Sequence, residues 1–294
     1  MKLLSYFLII CLGAAYVSCS KSTSADPVIP PAVTPVDSNV TVVIPGLLIK
    51  TVSPGPGASD SAVNIYDYDK DGLLIRKTVT WYTPGSVPAI KSAGRRYYRD
   101  AAGRITRIAD KELSDLPTTI DTIYSTVTYQ DATGNKVAYV ITSYVNNGKT
   151  IYDSTAYSYN TDNNLEKTTF YVSVDWPAAS PKMQRYETWT YNTTADPIKY
   201  EYYQELSTPG VFELIWRFGF EYDDKVNPYY ATDDVRRSYE WTMRHNVTVQ
   251  HVFESVPNDT HDNVITYEYN SDNKPVQSTQ TGPYPSTTKY YYSH

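Results

Sequence analysis

The chain has 294 residues, a net charge of −6, and 30 tyrosines. That length accommodates one large β domain or two small ones. The acidic balance argues against a nucleic-acid partner, since the densest basic pairs are only Arg95–Arg96 and Arg236–Arg237.

The first residues read MKLLSYFLIICLGAAYVSCS. Lys2 gives a positive start, and residues 3–15 form an apolar run too short to span a bilayer as a mature helix. This is the pattern of a secretory signal, assigned to residues 1–18. The run ends in YVSC and resembles a bacterial lipobox, which implies lipidation of Cys19. Tyr16 departs from the usual leucine, and cleavage after Ser20 without lipidation is the alternative. Cys11 and Cys19 are the two cysteines, so a chain lipidated at Cys19 keeps no disulfide. Residues 19–45 are rich in Pro, Ser and Thr and read as a semi-extended tether. The remaining 46–294 form the β-repeat domain.

Within that domain a tyrosine with Asp or Asn one or two residues on recurs. Its copies begin at Tyr68, Tyr98, Tyr129, Tyr159, Tyr191, Tyr222 and Tyr269, at spacings of 30, 31, 30, 32, 31 and 47. Internal periodicity of this kind outranks other fold signals. Each copy reads as the end of a strand and a turn built on Asp69, Asp100, Asp131, Asn160, Asn192, Asp223 or Asn270. Asx side chains bond their own backbone two residues on. Gly72, Gly103 and Gly134 are expected to supply positive φ, with Asn163 or Asn164 doing so in the fourth copy. Pro197, Pro228 and Pro275 follow their turns, where no ladder donor is needed.

A period near 31 fits two strands, one tight turn and one looser Pro/Gly loop. In KYEYYQEL, Tyr200 and Tyr202 oppose Lys199, Glu201 and Glu205; in ITYEYN, Ile265, Tyr267 and Tyr269 oppose Thr266, Glu268 and Asn270. One face is aromatic and the other polar, as in a half-buried sheet. With strands added near 46–53 and at the C-terminus, the expectation is an all-β, antiparallel up-and-down meander of roughly sixteen strands, curled or closed into a barrel-like sheet.

The first copy, YDYDKDG, starts like a calcium loop. The twelfth position from Asp67 is Thr78, where a bidentate glutamate is needed, and the flanks are strand-like. The acidic triplet is missing from the other copies, so a turn is the better reading. His245 and His251 lie about 20 Å apart on one strand and share no metal. His261, beside Asp259 and Asp262, reads as a solvated loop. No nucleophile elbow, zinc-protease helix or phosphate loop is present. No cofactor, catalytic residue or metal ligand is assigned. Trp81 and Trp176, beside the long loops, are the candidate ligand platform.

At YYRDAAGRITRI, the succession Tyr98, Asp100, Gly103, Arg104, Ile105 resembles the YD, or Rhs-type, repeat. The whole chain is similar to Bacteroidota-type lipoproteins of porin-like fold and uncharacterised activity. That resemblance implies a curled or closed meander and brings no activity with it. The sequence therefore supports an outer-membrane envelope lipoprotein, non-enzymatic, that binds or organises a partner such as a glycan or envelope protein. Alternatives are a secreted glycan- or peptide-acting hydrolase and a small outer-membrane pore. The stretch SKSTS after Cys19 lacks acidic residues, which favours the periplasmic side over the cell surface.

Overall fold

A computed structural model describes residues 44–54, 60–82, 90–113, 122–146, 149–174, 180–206, 208–232, 243–255 and 259–294. Among these are sixteen strands and one short helix. The first eight strands are β1 (Leu48–Pro54), β2 (Ser61–Tyr68), β3 (Leu74–Tyr82), β4 (Ile90–Arg99), β5 (Ile105–Leu113), β6 (Thr122–Tyr129), β7 (Val137–Asn146) and β8 (Lys149–Tyr159). Then come β9 (Leu165–Val174), β10 (Lys182–Tyr191), β11 (Pro197–Glu205) and β12 (Phe212–Val226). The helix α1 (Pro228–Thr232) precedes β13 (His245–Glu254), β14 (Asp259–Tyr269), β15 (Pro275–Thr281) and β16 (Ser286–Tyr292). Every strand pairs antiparallel with its neighbours in sequence, and β1 pairs with β16, so the meander closes into a barrel.

The Asx turns lie at one end of this barrel, and five are built alike. The Oδ1 atoms of Asp69, Asp100, Asn160, Asn192 and Asn270 each accept the amides two and four residues on. The residue three on takes positive φ: Gly72, Gly103, Asn163, Ala195 and Asn273. Ala195 was not foreseen there, because alanine has no side chain to offset the clash of its Cβ. The third turn is longer. Gln130 bonds Lys136, and Gly134 lies outside the positive-φ region, its amide drawn instead to Asp131.

A second regularity follows each turn. The return strand begins with a buried residue (Leu74, Ile105, Val137, Leu165, Pro197 or Pro275), and the residue after it is bulged out of register. The adjacent strand's last tyrosine then caps that first residue. Tyr129 donates to the Ile105 carbonyl at 2.9 Å, Tyr292 to Pro275 at 2.9 Å, and Tyr222 to Pro197. Tyr68 does the same to Leu48 at 2.7 Å, while Tyr159 accepts the Val137 amide at 3.0 Å. Burial pushes the Tyr129 and Tyr159 hydroxyls up to about 12.

The second and sixth copies depart from the expected pattern in other ways. In the second, Arg99 takes the capping place and donates to the Leu74 carbonyl at 2.8 Å; Tyr98 lies on the other face, beside Arg96 and Arg107. In the sixth, Tyr222 and Asp223 sit inside β12, which runs on to Val226. No hairpin forms there. Asn227 accepts the Tyr229 amide and starts α1, so Pro228 opens a helix, not a strand. Tyr229 folds inward against Tyr66 of β2 and Tyr290 of β16, at ring distances of 6.4 and 6.1 Å. Through Tyr229 the start of the last repeat interval thus reaches β2 and β16.

Candidate functional site

Side chains alternate across each strand, so the barrel has an inner and an outer set. The two buried hydrophobic clusters belong to the inner set. Tyr66, Tyr68, Leu74, Tyr97, Ile108, Val127 and Val140 form a cluster on one wall, and Trp189, Tyr200, Tyr202, Phe218, Phe220 and Val252 a second on the other. The expected faces of β11 and β14 are seen. Tyr200 and Tyr202 pack among the inner aromatic rings, whereas Glu201, equally buried, lies on the other face beneath Arg217 and Lys199.

The outer wall carries charge in the middle of its strands. Arg217 donates to Glu201 at 2.7 Å, and His251 lies between Asp262 and Glu221 at 2.8 and 3.1 Å. Burial pushes the Glu201 carboxyl up, but hydrogen bonds from Arg217 and Lys199 outweigh it and hold the group below its ordinary range. Hydrogen bonds to Asp262 and Glu221 raise His251. Arg107 and Lys167 lie over the rings of Tyr124 and Tyr186 at 3.7 and 4.3 Å.

Inside, the second wall brings chemistry together. Reading the ladders across β9 to β14 gives one row: Thr168, Glu187, Tyr202, Trp216, Glu254, Asp259. The row below it is Trp189, Tyr200, Phe218, Val252, His261. Tyr202 and Trp216 lie 4.9 Å apart, ring to ring. Trp216 keeps the inward phase of Phe218, and a bulge at Ile215, between the Tyr202–Trp216 and Tyr203–Leu214 pairs, shifts the phase of the strand before it. Thr168 donates to Glu187 at 3.2 Å. Burial pushes the Glu187 carboxyl up, with the Arg185 charge only partly opposing it. Asp153, on β8, is raised for the same reason. The Arg185 guanidinium lies 4.3 Å over the Phe170 ring.

Other candidates resolve differently. Asp67 pairs with Arg76 at 2.6 Å, Asp69 holds its turn and Asp71 pairs with Lys70, so the acidic triplet converges on no point. Among the described residues no three His, Cys, Asp or Glu are placed to hold a metal. His245 bonds the buried Asp196 at 2.6 Å, far from the partners of His251. His261 is a correction: it belongs to β14 with its side chain 11% exposed, not to a solvated loop. Strand pairing carries it inward, which its polar neighbours hid. At the turn end a cavity of 480 Å³ is lined by Gly46, Lys225, Lys274 and Tyr292. Its lysines are already engaged, Lys225 with Asp224 and Lys274 with the Gly46 carbonyl.

Trp81 faces inward near the far end of β3, paired across to Ala62. Trp176, Cys19, the signal and most of the tether lie outside the described residues. Trp216 was not singled out from the sequence. The signal was available in the alternation W-R-F-G-F, whose odd members continue the inward row of Tyr200 and Tyr202.

No protein-family model matches this sequence, and no curated protein matches it. Among solved structures the barrel is similar to a porin-like protein from Bacteroides uniformis, with a TM-score of 0.56 at 11% identity over 86% of this chain and 100% of that one. A porin-like protein from Bacteroides vulgatus gives a TM-score of 0.40 at 10% identity, over 84% and 99%. At such identity the first likeness is one of fold alone.

Proposed function

We propose that the chain is an envelope lipoprotein, anchored through Cys19, whose YD-type repeats build a water-exposed barrel that binds a ligand within its lumen. It is not a conduit through the bilayer. The outer wall is the observation that carries this reading. Arg217, Glu201, His251 and Lys167 lie along mid-strand, where a spanning barrel needs an apolar band. An arginine or lysine facing lipid at midplane costs about 2–4 kcal/mol. The inner wall carries the buried aromatic clusters, the reverse of a water-filled channel in lipid. An anchor and tether then explain how a barrel with a wetted outside stays at a membrane.

Fractionation of the full chain tests this. The wild type is expected in the membrane fraction, and Cys19→Ala in the soluble fraction as a monodisperse barrel without detergent. A detergent requirement for Cys19→Ala, or ion conductance in planar bilayers, would overturn the proposal.

A further inference from the structure

Resting on the reading of the barrel as a binding module, we infer that the inner wall from β10 to β14 is a subsite for a neutral saccharide. Trp216 and Tyr202 form its floor, with Arg185, Glu187 and Glu254 as partners for ring hydroxyls. The two aromatic rings lie 4.9 Å apart and make one continuous apolar surface. Polar groups stand one strand to either side of it, Glu187 beside Tyr202 and Glu254 beside Trp216. Strands are spaced about 4.8 Å apart, so the two carboxyl-bearing positions span about 14 Å of wall. A sugar ring has apolar C–H faces and a polar rim, and this wall offers the matching halves: rings in the middle, hydrogen-bonding groups at the margins.

The charges select neutrality. Arg185 is two residues from Glu187 on the same face, and its guanidinium is already over Phe170. A cationic ligand on the floor meets that guanidinium; an anionic one meets Glu187, Glu254 and Asp259. Hydroxyls donate to the carboxyl groups and accept from the guanidinium, and so suit both. His261 supplies an independent observation. Its Nδ1 faces the Asp259 carboxylate at 3.2 Å, while its Nε2 is buried and has no partner among the described residues. With Nδ1 donating, Nε2 is an acceptor that lacks a donor, one row from the aromatic floor. A ligand hydroxyl is such a donor, and leaving a buried acceptor unmet is costly.

Isothermal titration of the full chain with maltohexaose, cellohexaose and chitohexaose tests the inference, with spermidine as the cationic comparison. Saturable binding of at least one oligosaccharide is expected, with the sugar recovered intact. Trp216→Ala should weaken it about tenfold, as expected for loss of an aromatic platform. Trp216→Phe, which keeps a ring and the fold, should weaken it less. Tyr203→Ser on the outer wall should leave it unchanged. No saturable binding at millimolar sugar, equal binding by Trp216→Ala, or preference for spermidine would each overturn the subsite. Shortened oligosaccharides would overturn the non-enzymatic reading instead. Failure of the fractionation experiment with intact sugar binding would remove the membrane arrangement and leave the subsite standing.

Discussion

The turn end of the barrel and the inner wall from β10 to β14 are built from the same residue types, yet they differ in one respect. The turn end repeats itself: five Asx turns with the same two amide bonds, and five tyrosines plus Arg99 capping the starts of strands. The inner wall does not. Glu187, Trp216, Glu254 and His261 have no counterparts at equivalent places on neighbouring hairpins. A feature recurring once per hairpin answers a need that every hairpin has, namely reversing the chain and closing its backbone bonds. A feature that occurs once answers something else. The tyrosine excess therefore belongs to architecture, and the lone Trp216 row is where the proposed recognition would lie.

This contrast can be broken in four places. The largest effect is expected at Asp196, which is fully buried yet accepts from the Arg244 amide at 2.7 Å, the His245 amide at 3.1 Å and the His245 ring. It ties the β10–β11 turn to the chain returning from α1. Removing one partner of a buried charged network costs about 3–5 kcal/mol, so Asp196→Ala should lose that much in urea melts at pH 7. Burial opposes ionisation of Asp196, but its hydrogen bonds prevail and the group is lowered from 3.8. The stabilisation is thus present above that value and lost as pH falls through the lower folded one. The penalty of Asp196→Ala should shrink in acid; a constant penalty would mean that the charge is not what matters.

Within the repeats, Ala195 alone holds the positive-φ place without a glycine or asparagine, at φ 63°. Ala195→Gly should gain about 1 kcal/mol, because the left-handed strain of a Cβ exceeds the chain entropy that glycine adds. Destabilisation in thermal melts would show that the five turns are not equivalent. Tyr129→Phe should lose about 1 kcal/mol, the worth of one buried hydrogen bond. Tyr98→Phe, on the outer wall, should change stability by less. Equal losses at both would contradict the capping role.

The inner wall should respond in the opposite sense. Glu187 is raised from its ordinary 4.5 by burial, so its folded form favours the proton. The stability tied to Glu187 is present below 4.5 and lost as pH rises through the folded value. Glu187→Gln should therefore melt higher than wild type at pH 8, by less than the Tyr129 effect, and match it at pH 4. A residue kept at a cost to stability is what a binding wall predicts and a repeat element does not.

Legibility in the sequence followed the same division. Asx turns are local, since one side chain and four following residues decide them, so the spacing of tyrosines exposed both the turns and the strand number. Closure was not local. It depends on Thr51 meeting Tyr290 and Gly46 meeting Ser293, pairings that no short window contains. The Arg99 substitution was hidden because the nearby Tyr98 offered a better match to the repeat. Trp216 escaped because the bulge at Ile215 breaks the alternation just before it, so that Leu214, Ile215 and Trp216 read as an unbroken apolar run. His261 was concealed by acidic neighbours that, in a strand, point the other way or pair with it.

The central claim is that water, not lipid, wets the outer wall. Ser154, mid-strand on β8 and opposite Ile141 and Tyr171, reports on it directly. The full chain carrying Ser154→Cys, purified from the membrane fraction where the proposed Cys19 anchor would place it and reconstituted in vesicles, would be treated with a membrane-impermeant maleimide. The account predicts labelling at the rate of a thiol in water and no quenching of the attached fluorophore by a lipid-borne quencher. Protection from the maleimide together with quenching from the acyl chains would contradict it.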